Sequence, residues 1–153
     1  MDLRKQFFNE MEKIAEQDEN VILLVGDLGY SFMENYAKRF PYQFINCGVA
    51  EQNMIGVAAG LALGGMKPYV YTGAIFAVFR PYEFVRDDIA YANLDVKIIG
   101  TGHSGFLGHT HNLGESEDEV ALINTLPNIR GVKATEETLP NLLRDNGSLY
   151  IRL

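Results

Sequence analysis

The sequence predicts an α/β fold, a doubly wound and mostly parallel sheet with helices on both faces. Two observations predict it. Val21-Ile22-Leu23-Leu24-Val25 is an unbroken apolar run, as expected of a strand covered on both faces. Strand-like and helix-like segments then alternate along the chain, the pattern of βα units wound into a parallel sheet. No repeat, low-complexity tract or linker interrupts the alternation, so residues 1–153 are expected to form one domain with one sizeable core.

Leu3, Phe7, Met11 and Ile14 recur at helical spacing and predict an opening amphipathic helix. The Val21 to Val25 strand follows and ends at Gly26-Asp27. Phe44-Ile45-Asn46 reads as a strand leading into a helix over about residues 51–63. Tyr69-Val70-Tyr71 leads into a second helix over about 81–92, its start marked by Pro81. Val96-Lys97-Ile98-Ile99 precedes a loop rich in glycine and histidine. A helix over about 116–126, a short strand over 129–132, a helix beginning near Thr135 and a last strand at Leu149-Tyr150-Ile151 complete the pattern. Ligands of such sheets bind beyond the carboxyl ends of the strands. That rule singles out residues 26–31, 47–51, 72–82 and 101–111.

Composition narrows the class. A formal charge of −7 argues against nucleic acid, which needs a basic face to replace counterions. One cysteine, Cys47, excludes an internal disulfide and suits a reducing compartment. The first seventeen residues are charged and periodic, unlike a signal peptide. The longest weakly polar stretch, residues 53–65, is too short and too rich in glycine to span a bilayer. A cytoplasmic protein, bound to neither membrane nor nucleic acid, is expected.

The most distinctive stretch is Gly48-Val49-Ala50-Glu51-Gln52-Asn53-Met54. By itself it reads as a helix start, with Glu51 beside free backbone N–H groups. The helix that follows also carries Gly56, Gly60 and Gly64 at four-residue intervals, among Ala58, Ala59 and Ala62. An interior glycine costs a helix on the order of 1 kcal/mol relative to alanine. Three on one face make sense where another backbone packs very close, and a subunit interface is the simplest use.

Gly48-x-x-Glu51-x-x-Met54 before a small-residue helix resembles the pyrimidine-domain signature of the transketolase family of thiamine diphosphate enzymes, shared with the beta chains of 2-oxo acid dehydrogenases. The resemblance implies the pyrimidine-domain version of the thiamine diphosphate-binding fold. It implies that Glu51 hydrogen-bonds a ring nitrogen of the aminopyrimidine and favours the imino tautomer, which deprotonates the thiazolium carbon. Asp27-Leu28-x-x-Ser31 resembles the family's first-strand motif, which puts Asp27 near the cofactor and Ser31 near a substrate phosphate. Read alone, Asp27 is equally a turn residue after a strand. Phe76-x-x-Phe79-x-x-Tyr82 resembles the aromatic set around the aminopyrimidine, although aromatics of an α/β domain also serve as plain core. Thr110-His111 and Leu126-Pro127-Asn128 resemble the family's Thr-His loop and Pro-Asn turn, and the likeness runs on to Tyr150-Ile151-Arg152-Leu153.

His103, His109 and His111 invite a metal reading. Zinc needs three or four ligands in fixed geometry, and neither a cysteine nor a His-Glu-x-x-His helix is near, so no metal ligands are assigned. The resemblance gives His103 and His111 a place facing substrate as proton-transfer groups. His109 has no counterpart. Phe106-Leu107-Gly108-His109 stands where the family has an acidic-Asp-Gly stretch, Lys133 stands for a phosphate-binding arginine, and Asn112-Leu113-Gly114-Glu115 resembles an insertion. A lysine still binds phosphate, as a point charge without the bidentate fork.

The family also needs a second domain, marked by Gly-Asp-Gly and a downstream Asn, that holds the diphosphate through Mg2+. Gly26-Asp27-Leu28 does not match it, and the third domain of full-length transketolases has no counterpart here. The resemblance therefore implies either a natural subunit of a split, hetero-oligomeric transketolase or a truncated piece of a longer one, from an enzyme that moves a two-carbon ketol unit between sugars, phosphorylated or not. A beta-type chain of a 2-oxo acid dehydrogenase, a related thiamine diphosphate synthase and a non-catalytic α/β binding module are the alternatives.

Overall fold

The computed structural model describes residues 2–102 and 118–153. Six strands form one sheet: β1 (Val21–Val25), β2 (Phe44–Asn46), β3 (Lys67–Gly73), β4 (Lys97–Thr101), β5 (Ile129–Lys133) and β6 (Ser148–Arg152). Their order is β2-β1-β3-β4-β6-β5, and every pairing is parallel, a stricter sheet than the mostly parallel one expected. The helices are α1 (Leu3–Ala15), α2 (Glu34–Arg39), α3 (Glu51–Leu63), α4 (Ala74–Val78), α5 (Tyr82–Phe84), α6 (Asp118–Ile123) and α7 (Leu139–Leu142), with a π-helical turn at Val85–Tyr91.

Strand periodicity splits the core in two. Leu23 and Val25 point to one face, where Phe7 and Met11 of α1, Tyr36 of α2 and Leu139 of α7 cover them. Ile22 and Leu24 point to the other, against Met54, Ile55 and Ala58 of α3 and Ile89 of the π-helical turn. Burial on both sides is why β1 has no polar residue. The stripe Phe7, Met11 and Ile14 is buried as its spacing predicts, and Asp2 caps α1 by accepting the Arg4 N–H.

The structure revises four expectations. The helix predicted over 81–92 is present, with Pro81 as its N-cap and α5 running straight into the π-helical turn to Tyr91, but an unexpected short helix, α4, comes before it directly after β3. Proline lacks the N–H that a continuing helix would use, so the chain steps from α4 to α5 there. Helix α2 has no counterpart among the predicted elements; six residues with Tyr36 alone fully buried leave almost no periodic signal. The helix expected near Thr135 begins at Leu139, because Thr135 and Thr138 bond one another's backbone N–H groups in a preceding turn. In the helix expected over 116–126, α6 ends at Ile123, three residues early; positions 116 and 117 lie outside the described residues.

The strand order reverses between β1 and β3, since β1 leads outward to β2 while β3 starts the run toward β4. The carboxyl ends of these strands form the topological switch point, where such sheets hold their ligands.

Candidate functional site

Three chain segments meet at the switch point. The first follows β1. Gly26 is buried so tightly that a methyl group on it would come within 2.9 Å of Thr72 Oγ1 and 3.3 Å of Met54 Cε. Asp27 then turns the chain at φ 53. Its N–H donates to Asn46 Oδ1 at 3.2 Å, and its Oδ1 accepts the Tyr30 hydroxyl at 2.6 Å and Asn46 Nδ2 at 3.3 Å. The Tyr30 hydroxyl first, and Asn46 second, hold the Asp27 carboxyl below its ordinary pKa. Asn46 Oδ1 also takes the Gly48 N–H at 3.0 Å, so one amide ties the end of β1 to the turn that opens α3. Ser31, exposed and at φ 73, donates its N–H to Glu34 Oε1 at 2.8 Å.

The second segment is the start of α3. Glu51 is its first residue and is only 2% exposed. A carboxylate this deep needs a partner, and Arg80 supplies it from the third segment. Arg80 Nη1 lies 3.2 Å from Glu51 Oε2 and 3.3 Å from Oε1. The same guanidinium sits 3.9 Å above the ring of Phe76, which is itself buried on α4. Phe79 follows at the end of α4, 39% exposed, and half-buried Tyr82 opens α5. Glu51 and Phe76 are thus brought together through Arg80, which sequence reading passed over; nothing in the chain signals a pair 29 residues apart.

A second hollow, about 530 Å3, lies beyond the ends of β4, β5 and β6 and is lined by Arg4, Thr101, Lys133 and Arg152 among others. Lys133 therefore shares this hollow with two arginines and Asp2. Arg4 is bound to Asp2, with Nη2 to Oδ2 at 2.6 Å, and Arg152 to the buried Glu119. The sequence hid Arg4, which reads as an ordinary first-turn helix residue. His103 and His111 lie outside the described residues, as do His109 and Thr110.

The glycine face of α3 is open. A methyl group on Gly56 or Gly60 would meet nothing within 4 Å, and one on Gly64 would touch only backbone carbonyls of its own helix. Leu63, 75% exposed, lies within this stretch next to Gly64, and Val49, 68% exposed, precedes the helix. Among the described residues no group of three His, Cys, Asp or Glu side chains could hold a metal ion, and no helix is long and apolar enough to cross a membrane.

A buried carboxylate joined through Arg80 to an aromatic ring thus stands at the switch point of an all-parallel sheet, where α/β domains of this class hold their ligands. Residues 1–143 match the family described as transketolase, pyrimidine binding domain, and the chain belongs to that family. It is 38% identical over 128 residues to one of the subunits of the apulose-4-phosphate transketolase of Phocaeicola vulgatus, covering 81% of this chain and 40% of that protein. It is 32% identical over 160 residues to the 6-deoxy-6-sulfo-D-fructose transketolase subunit SqwH of Clostridium sp. strain MSTE9, covering 99% and 49%. A solved structure titled as a split gene transketolase, inactive beta4 tetramer, superposes with a TM-score of 0.83 at 34% identity, covering 98% of this chain and 50% of that one. The chain thus spans half or less of the length of these relatives.

Proposed function

We propose that this chain is the pyrimidine-binding part of a split thiamine diphosphate-dependent transketolase, active only with a partner subunit. The observation that carries the reading is Glu51, a buried carboxylate at the head of α3 paired with the end of a long, part-exposed side chain. The donor set fits the aminopyrimidine. Glu51 would hold a proton against a ring nitrogen, and Phe76, Phe79 and Tyr82 would enclose the ring. Asp27 would lie near the cofactor, its carboxylate kept ionised by the Tyr30 hydroxyl. Bound thiamine diphosphate would supply an acidic carbon that, once deprotonated, attacks the carbonyl of a donor sugar. Mg2+ and the diphosphate would be held by the partner, which would carry Gly-Asp-Gly and its downstream Asn.

The open glycine face of α3 supports the partner. It is a surface on which a second backbone can lie, next to the helix end that carries Glu51. Without the partner the chain would cover this surface by self-association, and the split gene transketolase neighbour is described as an inactive beta4 tetramer. Lys133 and Arg4, lining one hollow, suit an anionic group on the sugar, with Ser31, His103 and His111 assigned to substrate by family likeness. The two named relatives act on a phosphate-bearing and a sulfo-bearing sugar respectively.

The experiment is calorimetric titration with thiamine diphosphate and Mg2+, of the chain alone and with its partner subunit. Weak or no binding by the chain alone, and binding with ketol transfer once the partner is added, is the expected result. Tight binding and turnover by the chain alone would overturn the split-enzyme reading.

A further inference from the structure

We infer that Arg80 is an internal stand-in for the aminopyrimidine, occupying the ring site until cofactor enters and lowering the affinity with which cofactor is taken up. The inference rests on the functional reading above. A guanidinium and an aminopyrimidine share the relevant chemistry, being planar, delocalised and edged with N–H groups. Arg80 uses both features at once. Its Cζ lies 3.9 Å from the centroid of the Phe76 ring, and its Nη1 spans the two carboxylate oxygens of Glu51 at 3.2 and 3.3 Å. Those are the contacts a stacked pyrimidine would make with the same two residues.

Both occupants cannot be present together. A pyrimidine stacked on the face of Phe76 that Arg80 covers would have to take the place of the guanidinium. Glu51 faces a further conflict, because both its oxygens already bond the Arg80 guanidinium where a pyrimidine ring nitrogen would have to approach. Arg80 must therefore leave before Glu51 can act. Leaving is feasible, because its side chain is 34% exposed while that of Glu51 is 2% exposed. Until then it neutralises a buried charge that would otherwise destabilise the empty domain. Cofactor thus binds only the fraction of molecules in which Arg80 has swung out, and the apparent dissociation constant rises by the inverse of that fraction.

The test compares thiamine diphosphate affinity, with Mg2+, of the partner-reconstituted complex carrying wild-type chain or Arg80→Met. Methionine keeps the length and apolar stem and drops the charged fork. The expected result is a dissociation constant lower by about tenfold in the variant, the scale of a part-exposed ion pair with a cation–π contact. An unchanged or higher dissociation constant overturns the inference while leaving the functional reading in place. No binding by either complex overturns both. A second measurement needs no variant: in a crystal structure of the loaded wild-type complex, Arg80 is expected clear of both Glu51 and Phe76. An Arg80–Glu51 bridge retained beside bound cofactor would also overturn it.

Discussion

Arg152 Nε, near the end of β6, lies 3.0 Å from Glu119 Oε1 on α6, and both side chains are almost wholly out of solvent. The pair is at ion-pair distance without the alignment of a good hydrogen bond. Tyr150 adds its hydroxyl to the same Oε1 at 3.3 Å, and Glu119 Oε2 has no hydrogen-bond partner among the described residues. Breaking a buried pair by removing one partner costs about 3–5 kcal/mol, since the other charge stays uncompensated. Glu119→Ala is therefore expected to lower the stability of the chain by that amount in urea unfolding. A loss below about 1 kcal/mol would show that Arg152 finds solvent instead.

Glu51→Gln in the reconstituted complex is expected to fold normally, since the amide still accepts from Arg80. Turnover should fall by roughly 100-fold or more, the range for a lost general acid–base group. Steady-state kinetics beside a thermal melt check both halves. Activity within a factor of about two of wild type would remove Glu51 from the chemistry.

Gly60→Leu separates folding from assembly. The added side chain meets nothing within 4 Å in the chain, and leucine is the better helix former by about 1 kcal/mol. The variant should melt at or above the wild-type temperature yet fail to bind its partner in sedimentation experiments. Retained assembly would mean that the glycine face of α3 is not the interface.

Alkaline pH tests the sheet. Burial pushes the Tyr69 and Tyr71 hydroxyls up to about 12, against an ordinary 10.0. A raised folded-state pKa contributes stability that is complete below the unfolded value and is lost as pH rises through the folded one. Stability from these two residues is therefore expected to hold below about pH 10 and to fall between about 10 and 12. Ultraviolet titration should show their phenolates appearing together with unfolding. Ionisation of all eight tyrosines near 10 in a folded chain would contradict the buried placement.

Much of this was legible in the residues. Val21–Val25 announced a strand buried on both faces, and both faces are covered. The Gly48 to Met54 stretch announced a helix beginning at Glu51, and α3 begins there. The three spaced glycines pointed to a face for another backbone, and within the chain a methyl group on Gly56 or Gly60 would meet nothing within 4 Å. Short elements were another matter. Helices α2 and α4 have six and five residues, less than two turns, so no period could reveal them.

The sequence by itself determined the α/β alternation, the acidic composition and the identity of Glu51, because apolar period and local motif are properties of neighbouring residues. Only the tertiary structure decided what those residues meet. The reversal of strand order between β1 and β3 brings the ends of three βα units to one edge, and there Arg80 reaches Glu51 and Asn46 ties Asp27 to Gly48. It also sets Arg4 in the same hollow as Lys133, residues from opposite ends of the chain. Such pairs leave no local signal, because the distance that fixes their energy is spanned by the fold and not by the chain.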